Sequence, residues 1–201
     1  STALMGATLV TVNTLYKNFE LEYVLKQSDA STLILIEGHK DSNYIDIINE
    51  VCPELADSKP GNIKSRNLPK LRNVVYIGEE RHPGMFTWGD LMKAGELVTE
   101  GELDDRVASL DPDDVVNMQY TSGTTGFPKG VMLTHSNLIG NAYSVADCMR
   151  LSSADRLCIP VPLFHCFGCS LGTMTCLVSG ATMVPVERFN PNVVLETVER
   201  E

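Results

Sequence analysis

Val115-Val116-Asn117-Met118-Gln119-Tyr120-Thr121-Ser122-Gly123-Thr124-Thr125-Gly126-Phe127-Pro128-Lys129-Gly130-Val131-Met132-Leu133 is the stretch whose reading decides the fold. Apolar runs on either side read as buried strands. Between them, the eleven residues Tyr120–Gly130 hold four aliphatic hydroxyls, three glycines, one proline and one lysine. That is a polar, flexible loop slung between strands. Such a loop suits a polyphosphate: glycines let backbone N–H groups come close, hydroxyls donate hydrogen bonds, and the lysine supplies a cation. A solvated Gly/Thr hairpin is the plain alternative, but exposed loop chemistry of this density points to function.

The loop is not a Walker A sequence, which needs Gly-Lys followed by Ser or Thr and then a helix. Here Phe127-Pro128 precedes Lys129, Gly130 follows it, and Val131–Leu133 reads as a strand. A P-loop NTPase or kinase would place a helix directly after Lys129. No G-x-G-x-x-G dinucleotide fingerprint is present either.

Tyr120 to Gly130 resembles the phosphate-binding loop of the adenylate-forming enzymes: acyl-CoA synthetases, aryl-CoA ligases, luciferases and peptide-synthetase adenylation domains. Every position from Thr121 to Gly130 fits that pattern. Within the family the chain is most similar to medium- and long-chain fatty acyl-CoA synthetases. Gly6–Tyr16 with Glu20–Leu25 resembles the family's early strand–helix segment, Leu133–Leu138 the stretch after the loop, and Pro162–Gly168 the lining of the acyl pocket. The resemblance implies a two-step reaction. A fatty carboxylate attacks the α-phosphorus of ATP, giving acyl-AMP and pyrophosphate, and the CoA thiol then displaces AMP. It implies ATP phosphate binding by Thr121, Ser122, Gly123, Thr124, Thr125, Gly126 and Lys129, and acyl-substrate binding by His165. Lys129 and oriented N–H groups would stabilise charge growing on pyrophosphate. Magnesium would be needed, with no protein ligand visible. His135 matches a family position too, but reads rather as a structural helix-entry residue, and His39 and His82 read as loop residues. An aryl-CoA ligase or carrier-protein ligase shares the loop, and a non-catalytic binding domain is the remaining alternative.

The same resemblance makes the chain a partial N-terminal adenylation domain, residues 1–201, expected to form a single α/β unit. The family's Tyr-Gly-x-Thr-Glu and Thr-Gly-Asp stretches, and the C-terminal domain with its adenylation lysine, do not occur in it. The expectation is a fragment that folds but does not make acyl-CoA, with exposed former interfaces able to form a homodimer.

Composition agrees with a globular domain. A chain of 201 residues suits one domain, or one and a half, and can bury about 70% of its unfolded surface. The formal charge of −10 argues against nucleic-acid binding. Glu79–Asp114 carries eleven acids against three bases and reads as a solvated face. Lys59, Lys64, Arg66, Lys70 and Arg72 form a basic stretch without aromatics, read as an exposed connector. Six cysteines fall mostly in apolar segments and read as buried thiols in a reducing cytoplasm. Cys166 and Cys169 beside His165 lack the partners of a structural zinc site. Leu157–Val186 contains no Asp, Glu, Lys or Arg, but its prolines and glycines break it into short elements, so it is not read as a transmembrane segment.

Periodicity and punctuation predict strands at Thr8–Val12, Thr32–Ile36 (buried), Val74–Ile77, Val115–Tyr120, Val131–Leu133, Arg156–Val161 and Ala181–Val186. Helices are expected from Asn18 to Gln27 with Asn18 as cap, and over Tyr44–Val51 capped by Asp41 or Ser42 and ended by Pro53. Others are expected from the Thr87–Asp90 capping box to Val98, from Ser136 as cap to Met149, and over Phe167–Val178. A last helix starts at Asn190-Pro191. Pro53–Arg72 reads as a connector. Leu138, Ile139, Ala142, Val145, Ala146 and Met149 are expected to be core. Alternating strands and helices argue an α/β fold, a largely parallel sheet with flanking helices.

Overall fold

A computed structural model describes residues 2–121 and 126–201. Val12–Ala108 forms one compact unit and the segments flanking it form another, where the sequence reading expects a single unit. The fold is mixed α/β, and most strand pairs are parallel.

The flanking unit opens with β1 (Leu9–Thr11). The Val12–Ala108 unit then contributes α1 (Asn18–Gln27), β2 (Thr32–Leu35), a short antiparallel pair β3 (Gly38–His39) and β4 (Ser42–Asn43), and α2 (Tyr44–Val51). It continues with β5 (Asn73–Tyr76), β6 (Phe86–Thr87), α3 (Trp88–Gly95) and α4 (Glu100–Ala108). Its sheet is parallel in the order β2-β5-β6. Val74, Val75 and Tyr76 of the central strand are buried, and Leu21 and Leu25 of α1 join Ile45, Ile48 and Val51 of α2 in one core. β2 is less buried than its sequence suggests, because Ile34 faces solvent and only Leu35 is buried.

The caps of this unit are local, yet two of the three differ from expectation by a residue or two. Lys17 occupies the N-cap of α1, donating its N–H to Glu20 Oε2 at 3.2 Å, while Asn18 is the first helical residue and its amide reaches Glu50. Asn43 caps α2, its Oδ1 accepting from the N–H groups of Ile45 (2.9 Å) and Asp46 (3.1 Å). Ser42 is instead buried and accepts from Lys17 Nζ at 2.6 Å. The Thr87–Asp90 box forms as expected, with Thr87 Oγ1 accepting from the Asp90 N–H at 3.1 Å and the Asp90 carboxylate accepting from the Thr87 N–H at 3.0 Å. Its helix stops at Gly95 rather than Val98, and the acidic α4 that follows buries no residue.

In the expected connector Pro53–Arg72 the cations Lys59, Lys64, Arg66, Lys70 and Arg72 are exposed as read, but the apolar residues between them belong to the core. After a 3-10 turn at Pro53–Asp57, Leu55, Ile63, Leu68 and Leu71 are each at most 2% exposed. Irregular backbone hid this, because no helical or strand period marks apolar residues that a winding chain buries one at a time.

Returning to the flanking unit, the chain forms β7 (Val115–Thr121), β8 (Lys129–Thr134), α5 (His135–Met149), β9 (Arg156–Ile159), a π-helical stretch Phe167–Met174, α6 (Thr175–Ser179), β10 (Thr182–Pro185) and α7 (Pro191–Arg200). β9 and β10 pair in parallel, and β1 pairs in parallel with β7. β7 and β8 are antiparallel, an exception to the mainly parallel pattern. Thr134, not Ser136, caps α5: its Oγ1 accepts from the Asn137 N–H at 3.2 Å, whereas the Ser136 hydroxyl donates to Pro112 O at 3.0 Å. Only Ala142 and Ala146 of the expected α5 core stripe are buried; Ile139 and Met149 are exposed. Asn190 and Pro191 start α7 as read, with Asn190 Oδ1 accepting from the Asn192 N–H at 2.9 Å.

The six cysteines are free, but only Cys52 and Cys176 are buried, and Cys148 and Cys166 are exposed, which corrects the reading of buried thiols. Among the described residues no helix is long and apolar enough to cross a membrane.

Asn43→Ala removes both acceptor contacts at the start of α2 and is expected to lower stability by about 1 kcal/mol in urea unfolding. Hydrogen bonds from the Thr87 N–H, the Arg81 guanidinium and the Thr87 hydroxyl lower the Asp90 carboxyl from 3.8 to about 2. A carboxyl depressed in the folded state adds stability that is present above its unfolded value and is lost as pH falls through the folded one. Asp90→Asn is therefore expected to flatten the stability-versus-pH curve between about pH 4 and pH 2, measured by urea midpoints across that window.

Candidate functional site

β7 is the frame of the site. Its register puts Leu9, Val10 and Thr11 of β1 beside Asn117, Met118 and Gln119 on one edge. On the other edge Gln119, Tyr120 and Thr121 face Val131, Gly130 and Lys129 of β8. Thr121 and Lys129 thus stand opposite each other where the strand pair ends, as the two sides of the mouth of the loop. Ser122, Gly123, Thr124 and Thr125 lie outside the described residues. Beyond them, Gly126 has φ +93°, a left-handed conformation that side chains rarely adopt. Lys129 is exposed and makes no ion pair among the described residues. The strand after Lys129 excludes the strand–loop–helix order of a Walker A site.

The His165 segment is tied to the same end of the sheet. Thr11 Oγ1 donates to Phe164 O at 3.0 Å, and Thr11 pairs with Gln119, two residues before Thr121. The parallel strands β1 and β7 therefore bring the His165 turn and the loop's first residue to their shared carboxyl ends, the edge where open α/β sheets bind ligands. The turn is tightly folded: His165 N–H donates to Pro162 O at 3.2 Å, and Cys169 N–H donates to His165 O at 2.9 Å. Gly168 allows it, since a Cβ there would lie 2.4 Å from Pro162 O.

His165 is exposed, and its Nδ1 accepts the Phe167 N–H at 3.1 Å. An Nδ1 that accepts cannot carry the proton, so the neutral ring bears it on Nε2 and presents a donor there. Cys166 Sγ lies 3.7 Å from the same Nδ1. His135 opens α5 as its first residue, consistent with an entry role, and its Nε2 is buried without a hydrogen-bond partner. His82 packs edge-on against Tyr76 at 4.7 Å between ring centroids.

Sequence reasoning missed Asn117 and Gln119. Both are polar yet buried on β7. Asn117 Nδ2 donates to Leu9 O at 3.1 Å, while its Oδ1 is unpaired. Gln119 Nε2 makes no hydrogen bond of ordinary geometry. Burial pushes the Cys169 thiol up, with the neighbouring Gln119 amide pulling part of the way back and Cys166 adding a smaller push. The signal in the sequence was the two amides in an otherwise apolar strand, which breaks the pattern of a fully buried one. Among the described residues no group of three His, Cys, Asp or Glu side chains could hold a metal ion.

Gly168→Ala is expected to destabilise the protein by about 1–3 kcal/mol, because the methyl collides with rigid backbone at Pro162; thermal unfolding of the pair reads it.

Comparison with known proteins gives the family and the fold. The candidate acyl-CoA synthetase YngI of Bacillus subtilis (strain 168) is 55% identical over 201 residues, covering 100% of this chain and 37% of that protein. The mitochondrial medium-chain acyl-CoA ligase ACSF2 of Danio rerio is 36% identical over 206 residues, covering 100% of this chain and 34% of that protein. The chain thus spans about a third of the length of these curated relatives. The crystal structure of the anthranilate CoA ligase AuaEII, in complex with anthranoyl-AMP, has a TM-score of 0.68 at 24% identity, covering 96% of this chain and 33% of that one, and shares its fold. The sequence pattern of the AMP-binding enzymes matches residues 1–201, so the chain belongs to the AMP-binding enzyme family.

Proposed function

We propose that this chain carries the ATP phosphate-binding portion of a fatty acyl-CoA synthetase. The observation that supports it most is the strand–loop–strand frame, with Thr121 opposite Lys129 and the His165 turn hooked to the neighbouring strand. The relatives named acyl-CoA synthetase or ligase support the same reading.

In this reading ATP, a fatty acid and CoA are the substrates. Thr121, Ser122, Thr124 and Thr125 donate to the β- and γ-phosphates, and Gly123 and Gly126 let the backbone approach them. Lys129 neutralises charge that grows on pyrophosphate as the fatty carboxylate attacks the α-phosphorus, an interaction stronger in the transition state than in the ground state. The His165 Nε2–H donates toward the acyl carboxylate. CoA then displaces AMP from the acyl-AMP. Among the described residues no group of three His, Cys, Asp or Glu side chains could hold a metal ion, and magnesium would enter on the phosphates of ATP. In this reading the 201 residues by themselves do not complete the cycle; they span about a third of the length of the relatives named acyl-CoA synthetase or ligase. The reading places the protein in the cytoplasm, where its free cysteines stay reduced.

The test is ATP–pyrophosphate exchange by the full-length protein containing this segment, with fatty acids of graded length and with benzoate and anthranilate. Fatty-acid-dependent exchange is expected. Lys129→Gln is expected to lower its rate by about 100-fold. Exchange driven by the aryl acids but not the fatty acids would replace the reading with an aryl-CoA ligase. An unimpaired Lys129→Gln enzyme would remove Lys129 from the phosphate site.

A further inference from the structure

We propose that the Val12–Ala108 unit holds an anion site of its own, a concavity lined by Asn62, Lys64, Ser65, Arg66, Pro69 and Arg72 that takes a phosphate group. Its volume is about 300 Å³, and its lining carries three cations and no carboxylate. In a chain of net charge −10 this is a locally inverted surface. None of the three cations forms an ion pair among the described residues.

The loop that bears them is held rigidly from beneath. Ile63 and Leu68 are 1% and 2% exposed, while the intervening Lys64 and Arg66 point to solvent. Buried Ser65 accepts the Leu68 N–H at 3.2 Å, and Glu54 Oε1 accepts the Arg66 N–H at 3.0 Å. Arg72 Nη1 donates to Pro69 O at 2.7 Å and to Leu71 O at 3.1 Å, which fixes the guanidinium and leaves Nε and Nη2 for a ligand. The Arg72 guanidinium, held in place before a ligand arrives, loses less freedom on binding it than a free surface side chain does, while Lys64 and Arg66 are positioned through their backbone. Glu54 and Asp57 line an adjoining concavity together with Lys59 and Lys64, whereas Arg66 and Arg72 line only the first. The phosphate therefore belongs on the Arg66–Arg72 side. Guanidinium groups suit it, because their paired N–H donors match two phosphate oxygens at once.

The proposal does not depend on the Tyr120–Gly130 loop, and its test separates the two. Hydrogen–deuterium exchange of the full chain, read by mass spectrometry with inorganic pyrophosphate as probe, should slow in the peptide covering residues 60–73. Lys64→Gln/Arg66→Gln should weaken that response by about tenfold or more, with any response of the 120–130 peptide unchanged. Arg66→Lys, which keeps the charge, should retain part of it. Vesicles of phosphatidylglycerol and of phosphatidylcholine distinguish the source. Sedimentation with the anionic vesicles only, lost in Lys64→Gln/Arg66→Gln, supports the site with a lipid headgroup as occupant. Protection by pyrophosphate without sedimentation supports it with a soluble phosphate compound. Neither response at pyrophosphate on the order of 10 mM, or responses that survive Lys64→Gln/Arg66→Gln, would overturn the proposal.

Discussion

The parallel pairing of β1 with β7 is the constraint on which the flanking unit rests. It joins residues more than a hundred positions apart, Leu9 to Asn117 and Thr11 to Gln119. Closing so long a loop costs only a little more than closing a short one, because the entropy grows with the logarithm of length. The Val12–Ala108 unit lies wholly within that loop and has its own core. With β1 in place, β7 is hydrogen-bonded on both edges, and its polar side chains Asn117 and Gln119 are drawn into the interior. Without it, the Thr11 hydroxyl would have no reason to meet Phe164, and the His165 turn would lose its tie to the sheet.

That constraint explains which parts of the architecture were legible in the sequence. Elements governed by neighbours a few residues away could be read directly. Asn190-Pro191 starts a helix and Thr87 with Asp90 closes a capping box, because the groups that satisfy the first N–H donors lie within three residues. The near misses at Asn43 and Thr134 have the same origin. Several polar residues in a row can cap, and the strand that enters the helix decides which of them reaches the free N–H groups.

The candidate site was legible to a different extent. Glycines, hydroxyls and a lysine mark the Tyr120–Gly130 loop by composition, and the antiparallel register of β7 and β8 places its two sides together. The two amides of β7 stood out in the sequence, but the partners of Gln119 could not be read from it, because they come from β1 and from the π-helical stretch. The winding segment Pro53–Arg72 was opaque for a related reason. Its apolar residues enter the core singly, so their spacing carries no period, and the cations between them looked like a solvated linker rather than a framed surface.

The π-helical stretch Phe167–Met174 has a consequence for how this segment can change. A π-turn is an α-turn with an extra residue accommodated in its hydrogen-bonding. Gly172 lets it lie close to Ile159, where a Cβ would meet the isoleucine side chain at 2.9 Å. Losing one residue here would let the helix rewind as α and rotate everything before it by about 100°. His165 and Gly168 would then turn away from the end of the sheet. The segment is accordingly more open to replacement than to shortening.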